Sequence, residues 1–124
     1  MKAYKIFKKT KSGVYRPAQV PIRSLSVKEY QKGVWYEAED AQPTNLKNRV
    51  GFHATTKPTV PHIKIIPDQV VWLEVEIEDF DIIQRPESQG GTWYLARYLK
   101  INKELTDQDR LQLITEEEYN QEMK

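Results

Sequence analysis

The chain has 124 residues, 19 basic and 18 acidic side chains, a net charge of +1 and no cysteine. A chain of this length buries roughly two-thirds of its unfolded surface and folds without disulfides or a structural metal, and the missing thiols exclude iron–sulfur clusters, redox pairs, cysteine-ligated zinc and thiol nucleophiles. No apolar run approaches the roughly 18–20 residues of a membrane helix, and the charged start, Met1-Lys2-Ala3-Tyr4-Lys5, lacks the apolar core of a signal peptide, so the expectation is one cytoplasmic domain with no membrane association.

Residues 2–8 alternate, with Ala3, Lys5 and Phe7 on one side and Tyr4, Ile6 and Lys8 on the other, and their β-branched and aromatic content predicts a strand. Lys11-Ser12-Gly13 reads as a turn into a short second strand over residues 14–16. Pro17 and Pro21 break regular structure. Ser26 and Glu29 have capping-box spacing and Gly33 is placed as a helix stop, which predicts a short helix over residues 26–32. A strand follows over residues 34–37, then a polar loop over residues 40–48.

Residues 50–55 are the next strand candidate. The segment over residues 56–67 contains Pro58, Pro61 and Pro67, is long for a structureless connection, and is of a kind often tied to function. In residues 70–78, Val71, Leu73, Val75 and Ile77 alternate with Trp72, Glu74, Glu76 and Glu78, which predicts a strand with one dry and one wet, acidic face. Residues 81–85 continue that strand or form an edge strand, residues 86–91 form a turn-rich loop, and residues 92–101 alternate again as a strand. At the C-terminus two readings stay open: a strand over residues 110–114 with a helix from Thr115, or one longer helix from Thr106-Asp107. The sum is an α+β fold, a twisted, mostly antiparallel sheet of about six to eight strands with two or three short helices.

The chemistry-bearing residues are few. A metal site would need both histidines, His53 and His62, together with carboxylates such as Glu74 or Glu76, in no recognisable ligand spacing, so no metal is expected. There is no G-x-S-x-G and no P-loop. Residues 1–60 hold 12 basic and 4 acidic side chains, and residues 61–124 hold 7 and 14. Either the halves neutralise each other, or Lys5, Lys8, Lys9 and Arg16 belong to a basic face for an anionic partner, with Tyr4, Phe7 and Tyr15 interleaved as stacking surfaces for nucleic acid. The most site-like stretch is Gly51-Phe52-His53-Ala54-Thr55: a glycine that permits close approach, then a histidine on a strand, then a proline-stiffened loop that brings in His62. Gly51, Phe52, His53, Thr55, His62 and Tyr4 are the ligand-binding candidates.

The series Tyr4-Lys5-Ile6-Phe7, Gly33-Val34-Trp35-Tyr36-Glu37, Gly51-Phe52-His53-Ala54, Pro61-His62-Ile63, Val71-Trp72-Leu73-Glu74-Val75-Glu76 and Leu99-Lys100-Ile101 resembles a group of small uncharacterised proteins of bacteriophages and prophages over residues 3–105. That resemblance implies a viral setting, a host protein or nucleotide-like ligand as partner, a counter-defence role and no cofactor. Gly51-Phe52-His53-Ala54-Thr55 is also similar to the second strand of the ADP-ribosyltransferase fold, with His53 near the place of a tyrosine. This second resemblance implies an NAD-cleaving or ADP-ribosyl-transferring enzyme with His53 in the ligand pocket, NAD as its co-substrate, and Glu74, Glu76 or Glu104 as the late glutamate.

Overall fold

The computed structural model describes residues 1–17, 29–38, 51–59 and 70–122. The expected polar loop over residues 40–48, residues 26–28 of the expected helix, and the proline segment beyond Thr59 with His62 lie outside the described residues. Among the described residues, six strands pair in one antiparallel sheet: β1 (Lys2–Lys9), β2 (Tyr15–Pro17), β3 (Trp35–Glu37), β4 (Phe52–Thr55), β5 (Val70–Gln84) and β6 (Thr92–Glu104). Two short helices follow, α1 (Asp107–Leu111) and α2 (Glu116–Glu122). None of the helices among the described residues is long and apolar enough to cross a membrane.

The framework is the long hairpin of β5 and β6, paired from Leu73 opposite Glu104 to Gln84 opposite Thr92, with one register shift between Glu74 and Val75. Of the two readings for residues 81–85, continuation holds: residues 81–84 extend β5 without interruption. Leu73, Val75 and Ile77 face the core with 0% exposure, as their alternation predicts. Phe80 packs against the same core although it stands three residues beyond Ile77, and on β6 Ala96 and Leu99 show the same three-residue step. Asp79 lies inside this step on β5 with φ of +53°, and aspartate is one of the few side chains that tolerates that conformation.

The sheet closes on itself. β1 pairs with β5 along one edge, from Lys2 opposite Glu76 to Lys8 opposite Val70. Its other edge meets β4 at Tyr4 opposite Thr55, then β2 from Phe7 to Lys9. β4 in turn pairs with β6, so β1, β4, β6 and β5 form a ring of ladders, a small barrel without a free edge at that level. A second closure runs from β2 through a bridge between Tyr15 and Tyr30 and another between Lys32 and Ile101.

That second closure overturns the helix expected over residues 26–32, as far as it is described. The Tyr30 backbone exchanges both hydrogen bonds with Tyr15, at 2.7 and 2.9 Å, and the Gly33 N–H donates to Ile101. Residues 29–32 are therefore extended, and Gly33, with φ of +83°, turns the chain into β3 instead of stopping a helix. The reason is burial: the Tyr30 ring sits edge-on to Phe7, Tyr36 and Phe52, with centroids 5.6, 4.7 and 5.8 Å away. Such aromatic contact outweighs a capping signal worth about 1 kcal/mol.

Inside the ring lie Ala3, Phe7, Phe52, Ala54, Leu73, Val75, Ile77, Tyr94, Ala96, Leu99 and Ile101. A smaller cluster of Tyr4, Trp72, Trp93 and Leu105 lies on the opposite side of β1, β5 and β6. Trp72 corrects the sequence reading, which gave it to the wet face: it is 3% exposed. The C-terminal segment covers it, beginning with a hydrogen bond from the Leu105 N–H to the Trp72 carbonyl.

Neither C-terminal reading survives intact. Thr115 does start a helix, and its hydroxyl and Glu118 cap each other reciprocally at 3.1 and 3.0 Å. Residues 110–114 are not a strand, because Arg110 lies in α1, which has its own capping box from Thr106 and Asp109. Arg110 is 6% exposed. Its guanidinium donates twice to the Pro58 carbonyl, at 3.1 and 2.8 Å, and lies over the rings of Trp72 and Tyr119.

Arg110 thus fastens α1 and α2 to the barrel, and hydrogen bonds to a charged donor are worth more than neutral ones. Arg110→Met is expected to lower the unfolding free energy by about 2–3 kcal/mol. Urea denaturation followed by tryptophan fluorescence measures it; a loss within a few tenths would mean that the helices dock without this residue.

Candidate functional site

β4 carries the stretch singled out in the sequence, and the barrel wall divides it. Phe52 and Ala54 point inward and are buried, at 8% and 0% exposure. Phe52 is therefore a core residue. His53 and Thr55 alternate to the outside. The half-buried His53 ring meets Trp93 edge-to-face at 6.4 Å, and Arg85 lies over the same tryptophan at 4.8 Å. Gly51 is required by close approach. With φ of +150°, a Cβ there would stand 2.7 Å from Leu95 Cδ1 and 3.1 Å from the Ala96 carbonyl oxygen.

Tyr4 joins the outer aromatic cluster, and burial first, then the charge of Glu74, pushes its phenol above the usual range. Thr55, opposite Tyr4, is 4% exposed. Its hydroxyl lies 2.6 Å from the Lys57 carbonyl and 3.2 Å from that of Tyr4. It has one proton, and the shorter contact holds it.

The four cations predicted for an anionic partner are scattered. Lys9 pairs with Glu104 at 3.0 Å and Arg16 with Glu29 at 2.6 Å, while Lys8 is exposed. Lys5 shares the inward side of β1 with Ala3 and Phe7, and its ammonium donates to the His53 carbonyl at 2.8 Å, 5.7 Å from the Phe7 ring centroid. The residue is half-buried, and the partial loss of hydration lowers its pKa to about 8.

Beside Thr55 the outer surface opens into a cavity of about 380 Å³. Thr55, Thr56, Lys57 and Thr59 line it from the end of β4, Glu87, Gly90, Gly91 and Thr92 from the β5–β6 turn, and Glu118 from α2. The turn presents its backbone through Gly90 and Gly91, at φ of +100° and +71°, values that glycine adopts without penalty. Gly90 also abuts Trp93, whose Nε1 would lie 2.9 Å from an added Cβ. Lys57 and Glu118 face each other at 3.3 Å. The Thr115 backbone N–H holds the Glu118 carboxyl below its ordinary range against partial burial, and Lys57 helps.

Of the ligand-binding candidates read from the sequence, Thr55 lines this cavity, whereas Gly51, Phe52, His53 and Tyr4 do not. The residues missed are those of the hairpin turn and Glu118. Gly90-Gly91 and the threonine run were visible as residues, but three separate segments meet only in the folded chain. The lining offers hydroxyls, carboxylates, one ammonium and backbone, a set suited to hydrogen-bonded recognition. Among the described residues, no cluster of three histidine, aspartate or glutamate side chains is placed to hold a metal ion.

The burial of Lys5 has a pH consequence. Its folded pKa of about 8 lies below the ordinary 10.5, so between those values the unfolded chain binds more protons and stability rises with pH. Below about pH 8 the enclosed charge costs roughly 3 kcal/mol. The parent protein is expected to gain about 2 kcal/mol between pH 7.5 and 9.5 relative to Lys5→Met. Urea titrations of both proteins at the two pH values test this, and parallel pH profiles would contradict it. At Gly51, alanine is expected to cost about 1–3 kcal/mol, because the Ala96 carbonyl cannot move aside as the end of a leucine can. Thermal melts of Gly51→Ala would show an unchanged midpoint if the close approach were immaterial.

No protein-family model matches the chain, and no curated protein and no solved structure matches it.

Proposed function

We propose that this is a binding protein for a small, polar, nucleotide-like ligand, held in the threonine-lined cavity between the end of β4, the β5–β6 turn and α2. The observation that carries the reading is the cavity itself: about 380 Å³, within the usual range for small-molecule sites, with polar groups converging from three segments. Two of those segments are anchored independently of any ligand, β4 by its ladder to β6 and α2 by its cap and by Arg110 stacked on Tyr119. A preformed site binds without an ordering cost. A phage setting, implied by the sequence resemblance, fits a small factor that sequesters such a ligand. The NAD-cleaving alternative draws less support, because His53 packs on Trp93 and does not border the cavity.

The test is direct titration by calorimetry and by fluorescence of Trp93, which abuts the cavity wall at Gly90. A panel of nucleosides, nucleotides and NAD is expected to contain saturable ligands. Thr56→Trp, at an exposed lining position, is expected to fill the cavity and weaken binding at least about tenfold without shifting the melting temperature. An empty panel, or equal binding by the variant, refutes the assignment.

A further inference from the structure

The lining of this cavity is rich in hydrogen-bond acceptors. Thr55 already commits its proton to a backbone carbonyl, and the Thr92 hydroxyl donates to the Gln84 side chain at 3.2 Å. Both oxygens therefore turn lone pairs, not hydrogens, toward a ligand. Glu87 and Glu118 add two acceptor-only carboxylates, and Lys57 is the one ammonium among the described lining residues, which together carry a formal charge of −1.

Lys57 is poorly placed to serve as an anion hook. Its ammonium faces Glu118, and Glu118 cannot be traded away cheaply because the same carboxylate accepts the Thr115 N–H that caps α2. Among the described residues, Arg85 is engaged on the Trp93 ring and Arg110 on the Pro58 carbonyl. Neither lines the cavity. A phosphate is acceptor-rich and doubly charged near neutral pH, so it would meet like charge from Glu87 and Glu118 and lone pairs from Thr55 and Thr92, while the Lys57 ammonium is already drawn to Glu118.

We infer that the cavity takes a donor-rich neutral or cationic small molecule, of which a nucleoside is the type, and discriminates against its phosphorylated form. This rests on the binding reading above and narrows it to a ligand class. Ribose hydroxyls and exocyclic amino groups would donate to Thr55, Thr92, Glu87 and Glu118, and the glycine backbone would admit a flat ring against the turn.

Matched pairs test it: adenosine against adenosine 5′-monophosphate, cytidine against its monophosphate, and glucose against glucose 6-phosphate, titrated into the full chain at low salt. The unphosphorylated member of at least one pair is expected to bind at least about tenfold tighter than its partner. Glu87→Lys, which reverses one carboxylate away from the α2 cap, is expected to shrink or invert that ratio while the protein melts as before. If both members bind and the phosphate binds equally or better in the parent, this inference is wrong and the binding reading stands. If Glu87→Lys leaves the ratio unchanged, the charge argument fails. If no member of any pair binds, the cavity is not a site of this kind and both readings fall.

Discussion

The structure depends on a narrow seam between β1 and β4. The ladder there consists of one residue pair, Tyr4 opposite Thr55, yet it converts an open sheet into a ring. Beyond that pair the two strands part, and β2 takes over the β1 edge from Phe7 onward. The Lys5 ammonium spans the opening by donating to the His53 carbonyl, a backbone acceptor at the seam. An unsatisfied buried carbonyl costs about 1–3 kcal/mol, comparable to the cost of enclosing the charge that satisfies it. The lysine is therefore close to neutral for stability at physiological pH, and its value is geometric. It lets β4 lean toward β6 while the ring stays closed.

The position of the cavity follows from that seam. β4 ends at Thr55, just where β1 holds it, and the chain must then turn outward through Thr56, Lys57 and Pro58. The Pro58 carbonyl meets Arg110, so the same turn anchors the C-terminal helices and sets the distance from β4 to α2. The β5–β6 turn supplies the third wall because Thr55 sits opposite Trp93, at the start of β6. A site assembled in this way is rigid on the barrel side and open on the other.

The charge asymmetry of the sequence is absorbed by the fold. Lys2 pairs with Glu74, Lys9 with Glu104 and Lys57 with Glu118, and each of these pairs joins a base of the first half to an acid of the second. Surface pairs of this kind contribute little stability individually, but they leave no uninterrupted cationic stripe among these residues. The row of Glu74 and Glu76 is likewise occupied, with the Asn102 amide donating to both carboxylates.

The sequence by itself determined the elements whose signal is local. Period-two alternation placed β1, β5 and β6, the glycine turn placed the β1–β2 hairpin, and Thr115 with its glutamates placed the start of α2, because each signal acts over a few neighbouring residues. The close approach at Gly51 was legible for the same reason. Tertiary structure decided what depended on distant partners. Tyr30 became extended because its ring completes an aromatic cluster and its backbone completes the second closure. Trp72 was drawn under the C-terminal helices by Arg110, and Lys5 turned from a surface cation into a half-buried strut. The site moved for the same reason, from His53 to the threonine cavity beside it. Which hydroxyls, carboxylates and glycines share a wall is set by ring closure, and no pattern along the chain encodes ring closure locally.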